Sequence, residues 1–203
     1  MPEIRSPSRV IHSSLECKFW LQKGPSVDEV RPAKCADCDG AARAPGRALA
    51  IVGHGLRDRQ QRGPVAPDAV PTVEIVLVRR YLCRRCAAVM TVVPRDVEPR
   101  RHYARSAIAL ALARLGLLGE TEAAVRQSIS PWQIAVTGGW RTLRRWIAAV
   151  REGVLFEAAR PAAAASNRAV AARVAQLALG HAPPTLRGAP ALVLVFAGAI
   201  AMA

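Results

Sequence analysis

Four of the five cysteines in this 203-residue chain form two C-x-x-C pairs, Cys35-Ala36-Asp37-Cys38 and Cys83-Arg84-Arg85-Cys86. Each pair can present two thiolate sulfurs to one ion, and two pairs supply the four soft ligands that tetrahedral Zn²⁺ prefers. The expected chemistry is a structural zinc site held by Cys35, Cys38, Cys83 and Cys86. Between Cys38 and Cys83 lie 44 residues, against the roughly 15–20 of a compact zinc ribbon, so the site must carry a long insertion. A redox dithiol would want one C-x-x-C opening a helix in a βαβ unit, and neither pair sits there. Disulfides would need an oxidising compartment, whereas the Met-Pro-Glu-Ile-Arg start lacks the apolar core of a signal peptide. A cytoplasmic location is therefore expected. Cys17 is left over and reads as a packed thiol near Phe19 and Trp20, with a substitute ligand as the alternative. His54, between Gly53 and Gly55, reads as a loop histidine, and His12, His102 and His181 carry no ligand spacing.

The elements that must position these thiols can be sketched from the same sequence. Asp39-Gly40 offers the tight turn a zinc knuckle needs, because glycine tolerates positive φ. Residues 41–71 are rich in Gly, Pro and Arg and read as loop or irregular hairpin, with a short strand over Ala48–Val52. Val73–Leu82 is β-branched and mostly apolar, a strand delivering the chain to Cys83. Ala87–Val93 is the return strand, closing a hairpin whose turn is the second knuckle. Knuckle, strand, knuckle, strand is the order of a zinc ribbon.

Charge points to a partner. The formal net charge is +14, from 29 basic against 15 acidic residues, with a pI near 11.2. Such an excess favours a polyanion, most plausibly nucleic acid, through neutralisation of backbone phosphates. Arginine supplies most of it, a usage that high genomic GC content also favours. Arg79, Arg80, Arg84, Arg85, Arg95, Arg100, Arg101 and Arg105 gather around the second knuckle and the segment after it. Arg141, Arg144, Arg145 and Arg151 gather again on a helix further along.

The region beyond residue 103 reads as helical. Tyr103–Leu115 is apolar on nearly every face and should be a buried core helix, ended by Gly116 and Gly119. Thr121 is an N-cap for a short helix through Gln127. Ser128–Gly139 is a broken connector containing Pro131. A third helix covers Trp140–Val150, with Leu143, Trp146, Ile147 and Val150 forming one apolar stripe. Arg141, Thr142, Arg144 and Arg145 lie off that stripe. Helix, short helix, turn, arginine-bearing helix is the layout of a helix-turn-helix, whose last helix enters the major groove. Arginine can take guanine O6 and N7 bidentately, and threonine can contact a thymine methyl or a phosphate. The candidate DNA contacts are therefore Arg141, Thr142, Arg144 and Arg145, with Arg84, Arg85, Arg100 and Arg101 near the second knuckle.

The order Cys35-x-x-Cys38, arginine-rich insert, Tyr81-x-Cys83-x-x-Cys86, Thr91-Val92-Val93-Pro94 and Arg100-Arg101-His102-Tyr103 resembles the N-terminal part of insertion-sequence transposases. It looks most like short bacterial proteins related to them. The resemblance covers roughly residues 30–150. It implies a four-cysteine zinc ribbon followed by a helix-turn-helix ending in Trp140-Arg141-Thr142-Leu143-Arg144-Arg145-Trp146, and binding to DNA ends. Full transposases of this kind add a catalytic domain with three metal-binding carboxylates. Here no aspartate follows Asp96 and only Glu152 and Glu157 follow Glu122, so two-metal strand transfer has no ligands and no enzyme activity is expected.

An α+β fold follows from these readings: an N-terminal arm over 1–30, a zinc ribbon with a long insertion over 31–98, a helix-turn-helix-like domain over 103–152 and an Ala-rich helical tail over 153–203. In that tail Asn167 caps a helix over Arg168–Leu179. Ala191–Ala203 is apolar throughout, but its 13 residues span only about 20 Å as a helix against a hydrocarbon core of roughly 30 Å. Packing on the preceding helix is expected there rather than membrane insertion. The expected partner is DNA, with a protein partner or a second copy of the chain as further candidates and no small-molecule substrate. A zinc-ribbon protein-interaction module and a thiol-redox protein are the alternative functions.

Overall fold

A computed structural model of the protein describes residues 9–98, 101–132 and 139–202. Along the chain run β1 (Arg9–His12), α1 (Cys17–Gln22), β2 (Ile51–Gly63), β3 (Thr72–Cys83) and β4 (Val89–Val93). Then come α2 (Arg105–Gly116), α3 (Glu122–Ile129), α4 (Arg141–Arg151), α5 (Asn167–Gly180) and α6 (Ala191–Ala201). The architecture is mixed α+β, with one four-stranded sheet and six α-helices among the described residues. It divides into two units, Met1–Gln61 with Glu74–Arg100, and Arg62–Val73 with Arg101–Ala203. The Ala-rich segment 153–203 lies in the same unit as α2, α3 and α4.

The first unit is built on the sheet, ordered β1-β4-β3-β2. β1 runs parallel to β4, from Arg9 opposite Met90 to His12 opposite Val93. β3 runs antiparallel to β4, from Arg79 opposite Val92 to Leu82 opposite Val89. Only residues 64–71 join β2 to β3, too few for a parallel crossover, so that pair is antiparallel as well. β4 (Val-Met-Thr-Val-Val) lies inside the sheet and is buried along nearly all its length, as an apolar run without alternation should be. Ile51, Val76, Val78, Tyr81, Met90 and Val92 pack there with Trp20 of α1. Tyr81 is fully buried, and its hydroxyl donates to the Val27 carbonyl at 2.7 Å, which satisfies the one polar group it carries inward. The helix α1 has no side-chain cap of its own. Instead Asp96, distant in sequence, accepts the Cys17 amide at 2.9 Å. Burial pushes the Asp96 carboxyl above its ordinary range, and the Cys17 N–H pulls the other way.

One expectation is corrected here. Residues 41–71 read as loop or irregular hairpin with a short strand at 48–52, yet the chain forms a 13-residue strand, Ile51–Gly63. From Gly53 to Asp58 both faces of β2 are exposed, so no apolar alternation marks it. An edge strand of this kind is held by backbone hydrogen bonds, which leave no side-chain signature. His54 accordingly stands exposed on a strand rather than in a loop.

The second unit is arranged around α2, which touches α3, α4, α5 and α6. Nine of its twelve residues are buried, Ala107 through Ala113 without interruption, as its all-round apolar sequence requires. Thr121 caps α3 as expected, accepting the Ala124 amide at 3.2 Å. On α4 the stripe Leu143, Trp146, Ile147 and Val150 is buried, and Tyr103, Trp140 and Trp146 meet edge to face with centroids 4.9 to 6.2 Å apart. Ser166, not Asn167, caps α5, accepting the Ala169 amide at 3.2 Å. Asn167 is the first helical residue and its side-chain oxygen accepts from Arg151 at 2.9 Å. α6 packs on α2 and α5 and buries Val195, Phe196, Gly198 and Ala199. No helix among the described residues is long and apolar enough to cross a membrane.

Two glycines set the spacing of these helices. A Cβ on Gly116 would overlap the backbone of Ala171 and Ala172 in α5, and one on Gly198 would overlap the Ala178 carbonyl. Backbone cannot yield as a flexible side chain does. Gly116→Ala and Gly198→Ala should therefore each lower stability by about 1–3 kcal/mol despite the better helix former. Gly180→Ala, with open space around it, should be neutral or stabilising by up to about 1 kcal/mol. Urea-melt midpoints of the three variants check this ordering.

Candidate metal centre

Two turns of matching backbone build the site. In the first, the Cys35 amide donates to the Gly40 carbonyl at 2.9 Å and the Asp39 amide to the Cys35 carbonyl at 3.0 Å. In the second, the Cys83 amide donates to the Ala88 carbonyl at 2.9 Å and the Ala87 amide to the Cys83 carbonyl at 2.9 Å. Position for position the turns superpose in sequence. Each then needs a left-handed residue directly after its second cysteine, and Asp39 (φ 52°) and Ala87 (φ 60°) provide it. The expectation that Gly40 supplies the positive φ is thus corrected. Gly40 instead leaves room for the Arg85 side chain, since a Cβ would stand 2.6 Å from Arg85 Nη1 and 3.3 Å from Cys38 Sγ.

A backbone ladder joins the two turns. The Ala42 amide bonds to Ala33 at 2.8 Å, Ala50 to Ala42 at 2.8 Å, and Arg84 to Ala50 at 2.8 Å. This ladder lets a 44-residue insertion leave both knuckles side by side. The insertion departs from the site and returns to it as part of the sheet.

The four sulfurs converge. Cys35 Sγ lies 3.6 Å from Cys86 Sγ, Cys38 Sγ lies 3.8 Å from Cys83 Sγ, and all four lie within 4.8 Å of one another. A tetrahedron with metal–sulfur bonds of about 2.3 Å has edges of about 3.8 Å, so the donor set fits a single four-thiolate ion. The first cysteine of each pair is buried and the second exposed, which seats such an ion at the edge of the core. All five cysteines are free thiols. Cys17 is apart from the cluster, buried beside Trp20, and burial pushes its thiol far up.

The electrostatics suit a cation. Burial disfavours the Cys83 thiolate, but the amides of Cys86 and Arg85 and the thiols of Cys86 and Cys35 outweigh it and bring the group from 9.0 down to about 7. Cys86 shows the opposite balance: the Ala88 amide favours its thiolate, while burial and hydrogen bonds with Cys38, Cys35 and Cys83 push it up to about 12. One proton leaves this cluster easily and another is held hard, as expected of adjacent thiols that cannot all be anionic without a positive charge between them. A bound metal ion removes that obstacle and releases protons as it binds.

The arginines expected at the site fall into separate places. Arg84 and Arg85 are exposed on the second knuckle, in the first unit. Arg141, Arg144 and Arg145 are exposed on α4 in the second unit, with Thr142 half-buried beside them. Arg144 is paired, its Nε 3.1 Å from both oxygens of Glu122. Arg101 is half-buried and already engaged, and Arg100 lies outside the described residues. Glu122 stands in the first turn of α3. In the structure it also accepts the Trp140 amide at 2.7 Å, capping α4 from outside. Gly139 makes that possible, since a Cβ there would collide with both Glu122 and Arg144.

Comparison with family models, with curated proteins and with solved structures finds no match to this chain.

Ala87 is the strained member of the two turns, for an L-residue in the left-handed region costs about 1–2 kcal/mol and aspartate tolerates it better than alanine. Ala87→Gly should leave stability unchanged or raise it by up to about 1 kcal/mol, whereas β-branched Ala87→Val should lower it by about 2 kcal/mol or more. Urea melts with the metal ion bound give the sign of each. Because the ligands bind as thiolates, acidification should expel the ion, and the metal retained after dialysis across pH 8 to pH 4 should fall with pH.

Proposed function

We propose that this chain is a non-catalytic, zinc-stabilised DNA-binding protein. In this reading Cys35, Cys38, Cys83 and Cys86 hold one Zn²⁺ in a ribbon-like unit, and α3 and α4 act as a helix-turn-helix related to the DNA-binding part of transposases. Zinc supplies a structural cross-link between two knuckles and no chemistry on a substrate. A reducing compartment keeps the thiols available to it.

The observation that carries the DNA reading is the solvent face of α4. Its apolar stripe is buried, while Arg141 and Arg145 are exposed and have no acidic partner or hydrogen bond among the described residues. They stand one turn apart, on the same side of the helix. Two free guanidinium forks at that spacing suit guanine O6/N7 edges or phosphates along a groove. Arg144, held by Glu122, orients the start of the helix and keeps its outer N–H groups for a phosphate. The wider charge of +14 supplies the salt-sensitive, sequence-independent part of binding.

A protein-interaction module is the second reading. It is favoured by Ile75 and Leu77, which alternate onto one face of β3 and are each about half exposed, with Leu56 of β2 equally exposed.

The purified protein should carry about one zinc per chain, lost in Cys83→Ser. Wild type should bind duplex DNA with an affinity that falls steeply as salt rises. Arg141→Ala/Arg145→Ala should reduce the slope of log K against log salt by about two and weaken binding at least tenfold, at about 1.4 kcal/mol per decade. Zinc content should not change. Stoichiometric zinc without salt-sensitive DNA affinity would favour the interaction module, and free, reversibly oxidised thiols without metal would sink both readings.

A further inference from the structure

A cleft opens beside the metal centre, wholly within the first unit, with a volume of about 560 Å³. Its walls are alanines, Gly46 and Leu49, and its charged groups are Arg47, Arg84 and Arg85. No acidic side chain lines it. All three arginines are exposed, and none of their guanidinium groups has an ion pair or hydrogen bond among the described residues. The two acids of the first knuckle are committed elsewhere: Asp37 pairs with Arg9 at 3.1 Å and Asp39 with Lys34 at 3.4 Å.

The backbone that carries these arginines is tied into the fold. Arg84 donates its amide to the Ala50 carbonyl, the rung that fastens the second knuckle to the insertion. Arg85 runs over Gly40, where a Cβ would stand 2.6 Å from its Nη1 and 3.0 Å from its Cδ. Arg47 comes from the insertion itself, across the cleft, at a turn where the Arg47 amide bonds to Ala44 at 3.1 Å. Like-charged forks gathered around small, nearly featureless walls repel one another, and an anion rich in oxygen acceptors relieves that repulsion. Alanine walls offer little to an aromatic or aliphatic ligand body, which directs recognition to the anionic group. Guanidinium forks match phosphate oxygens bidentately.

The geometry points to this cleft as a nucleic-acid contact of the first unit, in which Arg47, Arg84 and Arg85 clamp backbone phosphates of duplex DNA. The inference rests on the DNA-binding reading and adds to it a site in the other unit, with Arg47 as a member that neither cysteine spacing nor helix pattern marks. Phosphate clamping fixes register and contributes affinity without reading sequence. A competing role for Arg84 and Arg85 is to offset the charge of four thiolates. Arg47 separates the two, because it belongs to the insertion and not to a knuckle.

The test is a titration of labelled duplex DNA at two salt concentrations, with zinc measured on the same samples. It compares wild type, Arg47→Ala, Arg84→Ala/Arg85→Ala and Arg141→Ala/Arg145→Ala. Arg47→Ala should weaken binding roughly tenfold and lower the salt slope by about one, equally for unrelated DNA sequences, with zinc unchanged. Arg84→Ala/Arg85→Ala should lower the slope by about two. If the α4 variant loses affinity while Arg47→Ala keeps wild-type affinity and slope, the DNA reading stands and the cleft is overturned. Loss of zinc in Arg84→Ala/Arg85→Ala, with Arg47→Ala behaving as wild type, assigns those arginines to the thiolate charge and likewise overturns it. A wild type without salt-sensitive DNA affinity overturns the DNA reading, and the cleft proposal with it.

Discussion

Four thiols from two separate turns lie within 4.8 Å of one another, and this proximity makes an electrostatic demand on the first unit. Sulfurs that close can stay partly protonated, or they can all ionise around a cation. The split between Cys83, brought down to about 7, and Cys86, pushed up to about 12, expresses that conflict. Much of the local backbone follows from it. Both turns adopt the same hydrogen-bond pattern, both place a left-handed residue directly after the second cysteine, and both aim amides at the sulfurs. The ladder through Ala33, Ala42, Ala50 and Arg84 then carries the closure across the insertion.

The second unit meets a different constraint, the close approach of backbones. α2 is buried on every side by residues that are mostly alanine and leucine. With so little side-chain volume, its neighbours gain dispersion contacts by coming near rather than by interdigitating large groups. Gly116 and Gly198 mark where they come nearest. The larger aromatic residues, Tyr103, Trp140 and Trp146, are concentrated where α4 begins. They anchor the helix that carries the exposed arginines.

Acidic residues are scarce, 15 against 29 basic ones, and several serve the backbone. Asp96 receives the first amide of α1, and Glu122 receives the amide of Trp140 before α4 while holding Arg144. Spending carboxylates on helix starts leaves arginines elsewhere without counter-charge. Arg141 and Arg145 on α4, and Arg47, Arg84 and Arg85 around the cleft, are left in that position. These are two of the places where exposed positive charge can meet a polyanion.

The sequence by itself determined what depends on local chemistry. Two C-x-x-C pairs fixed the donor set because cysteine is scarce and its spacing sets which sulfurs can share an ion. The strand before Cys83, the buried character of α2, the Thr121 cap and the apolar stripe of α4 were legible because propensity and periodicity act over a few residues. Tertiary structure alone decided the rest. β2 is exposed on both faces from Gly53 to Asp58 and becomes a strand there because β3 offers backbone partners beside it. Gly40, Gly116 and Gly139 are constrained by groups distant in the chain. Asp96 and Glu122 cap helices they do not belong to, and Arg47 joins Arg84 and Arg85 only once the insertion folds back. Each of these depends on a neighbour supplied by folding, and no local pattern of residues encodes a neighbour at long range.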